Sequence, residues 1–289
     1  MKIIKTIAEL EPIAGSGRKK AFVPTMGNLH AGHLKLIEVA KRSVSSQNGL
    51  TVASIFVNRL QFAPHEDFDQ YPRTLDQDCE LLEAHGCDVV FAPDESVLYP
   101  SPQTVRVIPP TELADLWEGH FRPGFFTGVC TVVAKLFSMI RPDVAVFGQK
   151  DYQQLKVIEL MVRQLNMPIQ IIGVPTQRNE SGLALSSRNN YLSQAQILKA
   201  LELQAQLQKV AHDVHHTTLD FASITSKASQ DLTQKGWQVD YVSLVKQSDL
   251  TLAHRGQDKQ LVCLAAAKLG NTRLIDNLEI SLTTEAPST

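Results

Sequence analysis

The stretch Val23–Ile37, VPTMGNLHAGHLKLI, decides how this chain is read. The apolar run Lys20–Pro24 (KAFVP) predicts a buried strand stopped by proline, and within His33–Ser43 (HLKLIEVAKRS) the residues Leu34, Ile37 and Ala40 recur at helical spacing. Between strand and helix lie Gly27, His30, Gly32 and His33. In an α/β sheet, ligands sit beyond the carboxyl ends of the strands. A helix N-terminus there offers unpaired N–H groups and the positive end of the helix dipole, which suit phosphate. Gly27 and Gly32 let the backbone come close to a ligand. Two imidazoles three residues apart can donate to phosphate oxygens where charge builds up during attack at phosphorus. Either histidine alone would read as structural or exposed. Zinc fits less well, because H-x-x-H here lacks the glutamate of a metalloprotease helix.

Outward from this junction, short apolar runs alternate with helical patterns. Leu50–Val57, Asp88–Ala92, Asp143–Phe147 and Ile169–Val174 read as strands, and Leu75–His85, Thr131–Ile140 and Asp151–Leu165 as helices. Strands spaced by helices imply an α/β fold, a doubly wound, Rossmann-like parallel sheet. The character changes after Gly182. A polar SSRNN loop, a long helix over Ser193–His215, strand-like runs at Val239–Val245 and Gln260–Ala266, and a close near Thr272–Ile275 predict a smaller C-terminal α+β domain. The expected division is 1–183 and 184–289, with the second part acting as a lid over the site, and the TTEAPST tail is expected to fray.

Composition bounds the function. With 43% hydrophobic residues among 289, the chain can bury a core, and a net charge of -2 advertises no basic face for nucleic acid. No apolar run approaches the roughly 20 residues of a membrane helix, and the N-terminus shows no signal-peptide pattern, so a cytoplasmic protein is expected. Cys79, Cys87, Cys130 and Cys263 form no C-x-x-C pair and read as reduced, buried thiols.

Three further motifs fall after predicted strands or at the domain junction. Asn58 and Gln61 in FVNRLQF are neutral amides suited to hydroxyls and a small carboxylate. Lys150 and Asp151 in FGQKDYQQL can neutralise a leaving polyphosphate and accept from ribose hydroxyls. Ser186, Ser187 and Arg188 form a compact anion-binding set with no G-x-S-x-G elbow around them. Asp76 and Asp78, two apart on a predicted helix, do not share a face and read as first-turn charges.

H-A-G-H after the first predicted strand resembles the signature of the nucleotidyltransferase superfamily, and PTMGNLHAGHL narrows the resemblance to the pantothenate synthetase family. SIFVNRLQF (54–62), YPRTLDQD (71–78), RPGFFTGVCTVV (122–133), FGQKDYQQL (147–155), GLALSSRN (182–189) and TRLIDN (272–277) agree in order. The resemblance implies that pantoate and ATP give pantoyl adenylate and pyrophosphate, that β-alanine then displaces AMP, that Mg2+ is required, and that the protein is a homodimer. It assigns His33, His30 and Lys150 to catalysis. It assigns Met26, His30, His33, Gly148, Lys150, Asp151, Ser186, Ser187 and Arg188 to ATP, and Met26, Gln61 and Gln154 to pantoate, where Asn58 joins them by its amide chemistry. It gives Asp78 to the metal, although Gln77 stands where some relatives carry an acid. Two other positions depart from the family: Arg59 replaces a proline, and Phe125 replaces the histidine of R-P-G-H-F. Transfer onto a phosphorylated alcohol would call for a more basic pocket than Asn58, Gln61 and Gln154. A dead scaffold would not be expected to keep His30, His33, Lys150 and Ser186–Arg188 together.

Overall fold

The structure is a computed structural model that describes residues 1–63, 66 and 68–282; the TTEAPST tail lies outside them. It divides into two units, Met1–Gln177 and Arg178–Thr289. The division falls a few residues before the expected 183/184 boundary. Arg178 already belongs to the second unit: it pairs with Ala184 and holds Asp276 through both terminal nitrogens, at 2.7 and 2.8 Å.

The first unit is a six-stranded sheet, parallel throughout. Its strands are β1 (Lys2–Ile4), β2 (Lys20–Thr25), β3 (Leu50–Ile55), β4 (Val89–Phe91), β5 (Val144–Gly148) and β6 (Gln170–Val174), in the order β1-β4-β3-β2-β5-β6. Helices α1 (Ile7–Ala14), α2 (Ala31–Val44), α3 (Leu75–Ala84), α4 (Phe125–Ile140) and α5 (Tyr152–Gln164) fall in the connections. From β2 the chain builds outward through β3 and β4, then returns to place β5 on the other flank of β2. That reversal makes the carboxyl ends of β2 and β5 the topological switch point, where such sheets bind ligands. β2 and β3 are almost wholly buried, as strands covered on both faces must be. Phe137 of α4 meets Phe22 and Phe147 edge-on at 6.2 and 6.4 Å, fixing that helix over β2 and β5.

Several elements differ from the sequence reading. Pro24 does not stop β2, which runs to Thr25. β2 pairs with β5 only through Ala21 and Phe22, so Pro24 lies beyond that ladder, where a strand tolerates a residue with no N–H. Helix α4 begins at Phe125 rather than Thr131, because Gly124 takes the left-handed conformation (φ 80°) that turns the chain into it. Strand β1 and helix α1, with Pro12 inside it, were not expected.

The second unit is an antiparallel sheet β7 (Gln238–Lys246), β8 (Gln260–Leu269) and β9 (Thr272–Ser281), with helices α6 (Gln194–His216) and α7 (Phe221–Gln234) sharing its core. Trp237 is the largest side chain buried there, and its indole N–H donates to Glu202 at 2.9 Å. All four cysteines are free and buried.

Candidate active site

The loop that follows β2 is built around two consecutive left-handed residues, Gly27 (φ 82°) and Asn28 (φ 52°). Thr25 ties it to the sheet, donating from Oγ1 to the Ser54 carbonyl at 2.7 Å and accepting the Gly27 N–H at 3.3 Å. Asp78 of α3 reaches in from the side. Its carboxylate accepts the Asn28 N–H at 2.9 Å, the Leu29 N–H at 2.8 Å and the Thr74 hydroxyl at 3.0 Å, and it is 1% exposed. A Cβ on Gly27 would sit 2.9 Å from that carboxylate, so glycine is needed for space as well as for φ.

Helix α2 is capped by imidazoles. Nδ1 of His30 accepts the Gly32 N–H at 3.1 Å, and Nδ1 of His33 accepts the His30 N–H at 3.3 Å. This is a capping box with two histidines in place of the usual Ser/Thr and Glu/Gln. A nitrogen that accepts a backbone N–H carries no proton, so the hydrogen bonds assign both neutral rings to the Nε2–H tautomer. The ring centroids are 4.1 Å apart. Burial, with the nearby Lys150 charge, lowers His30 to about 4; Asp151 opposes weakly. Burial, then His30 and Lys150, lowers His33 to about 3. The site therefore holds two adjacent neutral N–H donors at neutral pH. They keep their proton donors without the mutual repulsion of two imidazolium ions.

The same shifts set an acid limb for stability. Both folded pKa values lie below the unfolded value of 6.5. Below pH 6.5 the unfolded chain binds protons that the folded chain refuses, so stability falls as pH falls. Each such proton gives a slope of about 1.4 kcal/mol per pH unit. Urea unfolding at pH 7 and pH 5 is expected to show the loss, and His30→Gln/His33→Gln to show a shallower one; equal slopes would contradict the assignment.

Asn58 and Gln61 lie on the turn after β3. Asn58 is 1% exposed and fully engaged: Nδ2 donates to Gln61 Oε1 at 3.1 Å and to the Gly128 carbonyl at 3.2 Å, while Oδ1 accepts the Tyr99 hydroxyl at 2.8 Å. It orients Gln61, whose Nε2 donates to the Met26 sulfur at 3.2 Å. Tyr99 was missed in the sequence, and no local pattern marked it. Arg122 also braces this turn, donating to the Gln61 carbonyl at 3.2 Å and to both oxygens of Glu66 at 2.7 and 2.8 Å. Its guanidinium lies 3.7 Å over Phe125, so the ring that replaces histidine serves as a stacking platform. Arg59 donates to Glu95 at 3.2 Å and covers Phe68 at 3.9 Å.

Gly148 ends β5, and Lys150 and Asp151 follow it at the carboxyl edge of the strand that pairs with β2. A Cβ on Gly148 would meet nothing within 4 Å. Of the two glutamines that open α5, Gln153 is buried and ties down the 113–118 segment, accepting the Glu118 N–H at 3.0 Å and donating to the Leu113 and Leu116 carbonyls at 2.8 Å each. Gln154, the next residue, keeps a partly exposed side chain.

Asp78 does not fit the metal-ligand role expected of it. Read otherwise as a first-turn charge, it does stand in the first turn of α3, but it is buried with both oxygens taken by backbone and Thr74 donors. Among the described residues no group of three or more His, Cys, Asp or Glu is placed to hold a metal ion. On the second unit, Ser186 caps the short helix Ser187–Tyr191, its Oγ accepting the Arg188 N–H at 3.3 Å. Arg273 pairs with Asp240 at 2.7 Å, and Asp276 with Arg178.

Residues 2–279 match the Pantoate-beta-alanine ligase family. Pantothenate synthetase from Leptothrix cholodnii is 54% identical over 288 residues, covering 96% of this chain and 100% of that protein. The one from Thiobacillus denitrificans is 52% identical over 281 residues, covering 97% and 98%. Among solved structures, pantothenate synthetase from Thermus thermophilus superposes with a TM-score of 0.89 at 41% identity, covering 98% of this chain and 100% of that one. The pantoate–β-alanine ligase from Francisella tularensis, solved in complex with β,γ-ATP and β-alanine, gives 0.75 at 33% identity, covering 96% and 97%.

Proposed function

The chain belongs to the Pantoate-beta-alanine ligase family, joining pantoate to β-alanine with ATP, and we propose that it does so on the residues gathered at the β2–β5 switch point. A carboxylate oxygen of pantoate attacks the α-phosphorus of ATP in line, and the bond to pyrophosphate breaks, giving pantoyl adenylate. The neutral amine of β-alanine then attacks the acyl carbon, AMP leaves, and the nitrogen sheds its proton to solvent. No protein nucleophile is needed; catalysis comes from positioning and from stabilising charge on phosphate oxygens.

The observation that carries this reading is the pair of neutral Nε2–H donors on His30 and His33 beside Lys150. Such a set suits a trigonal-bipyramidal phosphorus and a departing pyrophosphate. Gln61 and Met26, with Gln154, suit the small hydroxy acid, and Asn58 serves by holding Gln61 rather than by touching pantoate. Gly148 and Asp151 suit the nucleoside, and Ser186, Ser187 and Arg188 of the second unit carry hydroxyls and a guanidinium suited to phosphate. Magnesium arrives with the nucleotide, held by phosphate oxygens and water, the usual mode for that ion. We place the enzyme in the cytoplasm as a homodimer. No described helix is long and apolar enough to cross a membrane.

The test is AMP release from ATP and magnesium with pantoate and β-alanine omitted in turn. AMP is expected only when both are present, with pantothenate as co-product. Turnover indifferent to pantoate would overturn the acid assignment while leaving the nucleotide site.

A further inference from the structure

A buried carboxylate beside a site for polyphosphate is an electrostatic misfit, because it repels the ligand. Asp78 sits there nonetheless, 1% exposed. Burying such a group is unfavourable unless donors surround it, and three do: the Asn28 and Leu29 N–H groups and the Thr74 hydroxyl, all within 3.0 Å. One of those donors, the Asn28 N–H, belongs to the left-handed turn, and another, the Leu29 N–H, to the residue that joins the turn to His30. Asn28, the residue of that turn with a Cβ, is held at φ 52°, a conformation that asparagine tolerates but that is not selected without a partner. The Asn28 and Leu29 N–H groups converge on one carboxylate, and the next residue is the cap of α2.

We propose that Asp78 is a positioning residue for this reaction: it fixes the Gly27–Asn28 turn from the side and thereby sets where His30 and His33 present their Nε2–H groups. It holds no metal. The inference rests on the proposed use of those imidazoles, but its structural half is independent of any substrate. Asp78→Asn replaces one acceptor oxygen with an NH2 that faces a backbone or hydroxyl donor, so the turn loses a charge-assisted hydrogen bond and gains a donor–donor conflict. Thr74→Val removes only the outer donor and leaves the carboxylate on the turn.

Three readouts separate the possibilities. Pantoate-dependent ATP–pyrophosphate exchange is expected to fall by about 100-fold in Asp78→Asn, the scale of a misplacement near 1 Å, and only slightly in Thr74→Val, with the magnesium concentration for half-maximal rate unchanged in both. Nitrogen-15 NMR of the substrate-free, metal-free protein is expected to show the Nε2–H tautomer for His30 and His33 in the wild type and mixed tautomers in Asp78→Asn. A Tm for Thr74→Val near that of the wild type keeps the comparison valid if Asp78→Asn folds poorly. In that case the prediction moves to Asp78→Glu, which keeps the charge but shifts both oxygens: mixed tautomers with reduced exchange are expected, and wild-type tautomers with unchanged exchange would overturn the proposal. A large rise in the magnesium requirement of Asp78→Asn, or rescue by excess magnesium, would overturn the proposal in favour of a metal ligand. Unchanged tautomers with unchanged exchange would overturn it outright. Absence of exchange in the wild type would instead defeat the ligase reading, and the NMR comparison would still judge Asp78.

Discussion

In His33→Ala, pantoate-dependent ATP–pyrophosphate exchange is expected to fall by about 100- to 1000-fold, the range for losing one preorganised donor to developing charge. The ring does two jobs. Its Nδ1 accepts the His30 N–H and closes the cap of α2, and its Nε2–H is one of the two neutral donors at the site. Alanine removes both, so the loss should appear in kcat more than in the KM for pantoate, whose proposed contacts are Gln61 and Met26. His33→Gln separates the two jobs. A glutamine at this third helical position can accept the cap N–H through Oε1 and still offer an amide N–H. It should therefore retain more exchange activity than alanine. Near-normal exchange in His33→Ala would remove His33 from the catalytic set.

Gly128→Ala is expected to injure the acid subsite from behind. A Cβ at Gly128 would overlap the Leu60 carbonyl and lie 2.8 Å from the Gln61 nitrogen, and both neighbours are backbone. Helix α4 cannot retreat easily, since Phe126, Val129, Cys130 and Val133 are buried behind it. Overpacking of this kind typically costs about 1–3 kcal/mol. The functional effect should exceed the stability effect. The displaced turn carries Asn58 and Gln61, and Asn58 is also bonded to the Gly128 carbonyl. We expect kcat/KM for pantoate to fall by about 100-fold with nucleotide affinity nearly preserved, measured by exchange kinetics and ATP titration. Equal loss of pantoate and ATP affinity would mean general disruption instead.

The parts of this architecture that a reader of the sequence can find are those written locally. Alternating strand and helix patterns gave the parallel sheet, and the junction of KAFVP with HLKLI located the histidines because strand, glycine and helix start are contiguous. The parts that escaped depend on distant partners. Asp78 read as no more than a first-turn charge because its partners, Asn28 and Leu29, are some 50 residues away. Tyr99 reaches Asn58 across 41 positions. Gln153 and Gln154 are indistinguishable as text, and only the face each presents on α5 separates the strut from the candidate ligand. Helix α7 was invisible for another reason. Its FASITSKASQDLTQ sequence is rich in Ser and Thr, weak helix formers. It is held instead by an Asp220 cap and by the buried face of Phe221, Ile224, Ala228 and Leu232.

The adjacency of β2 and β5 bears on how the protein is made. The imidazole loop and the Lys150 loop are neighbours in the sheet yet separated by more than a hundred residues of chain. A ribosome must deliver β3, β4 and all of α4 before the second half of the nucleotide site can dock against the first. Long-range closure of this kind is slow. ATP stabilises only states that bind it, so it cannot shelter a growing chain that ends before β5. The nucleotide instead rewards completion of the sheet, and during synthesis the binding of ATP becomes a report that the first unit has finished folding.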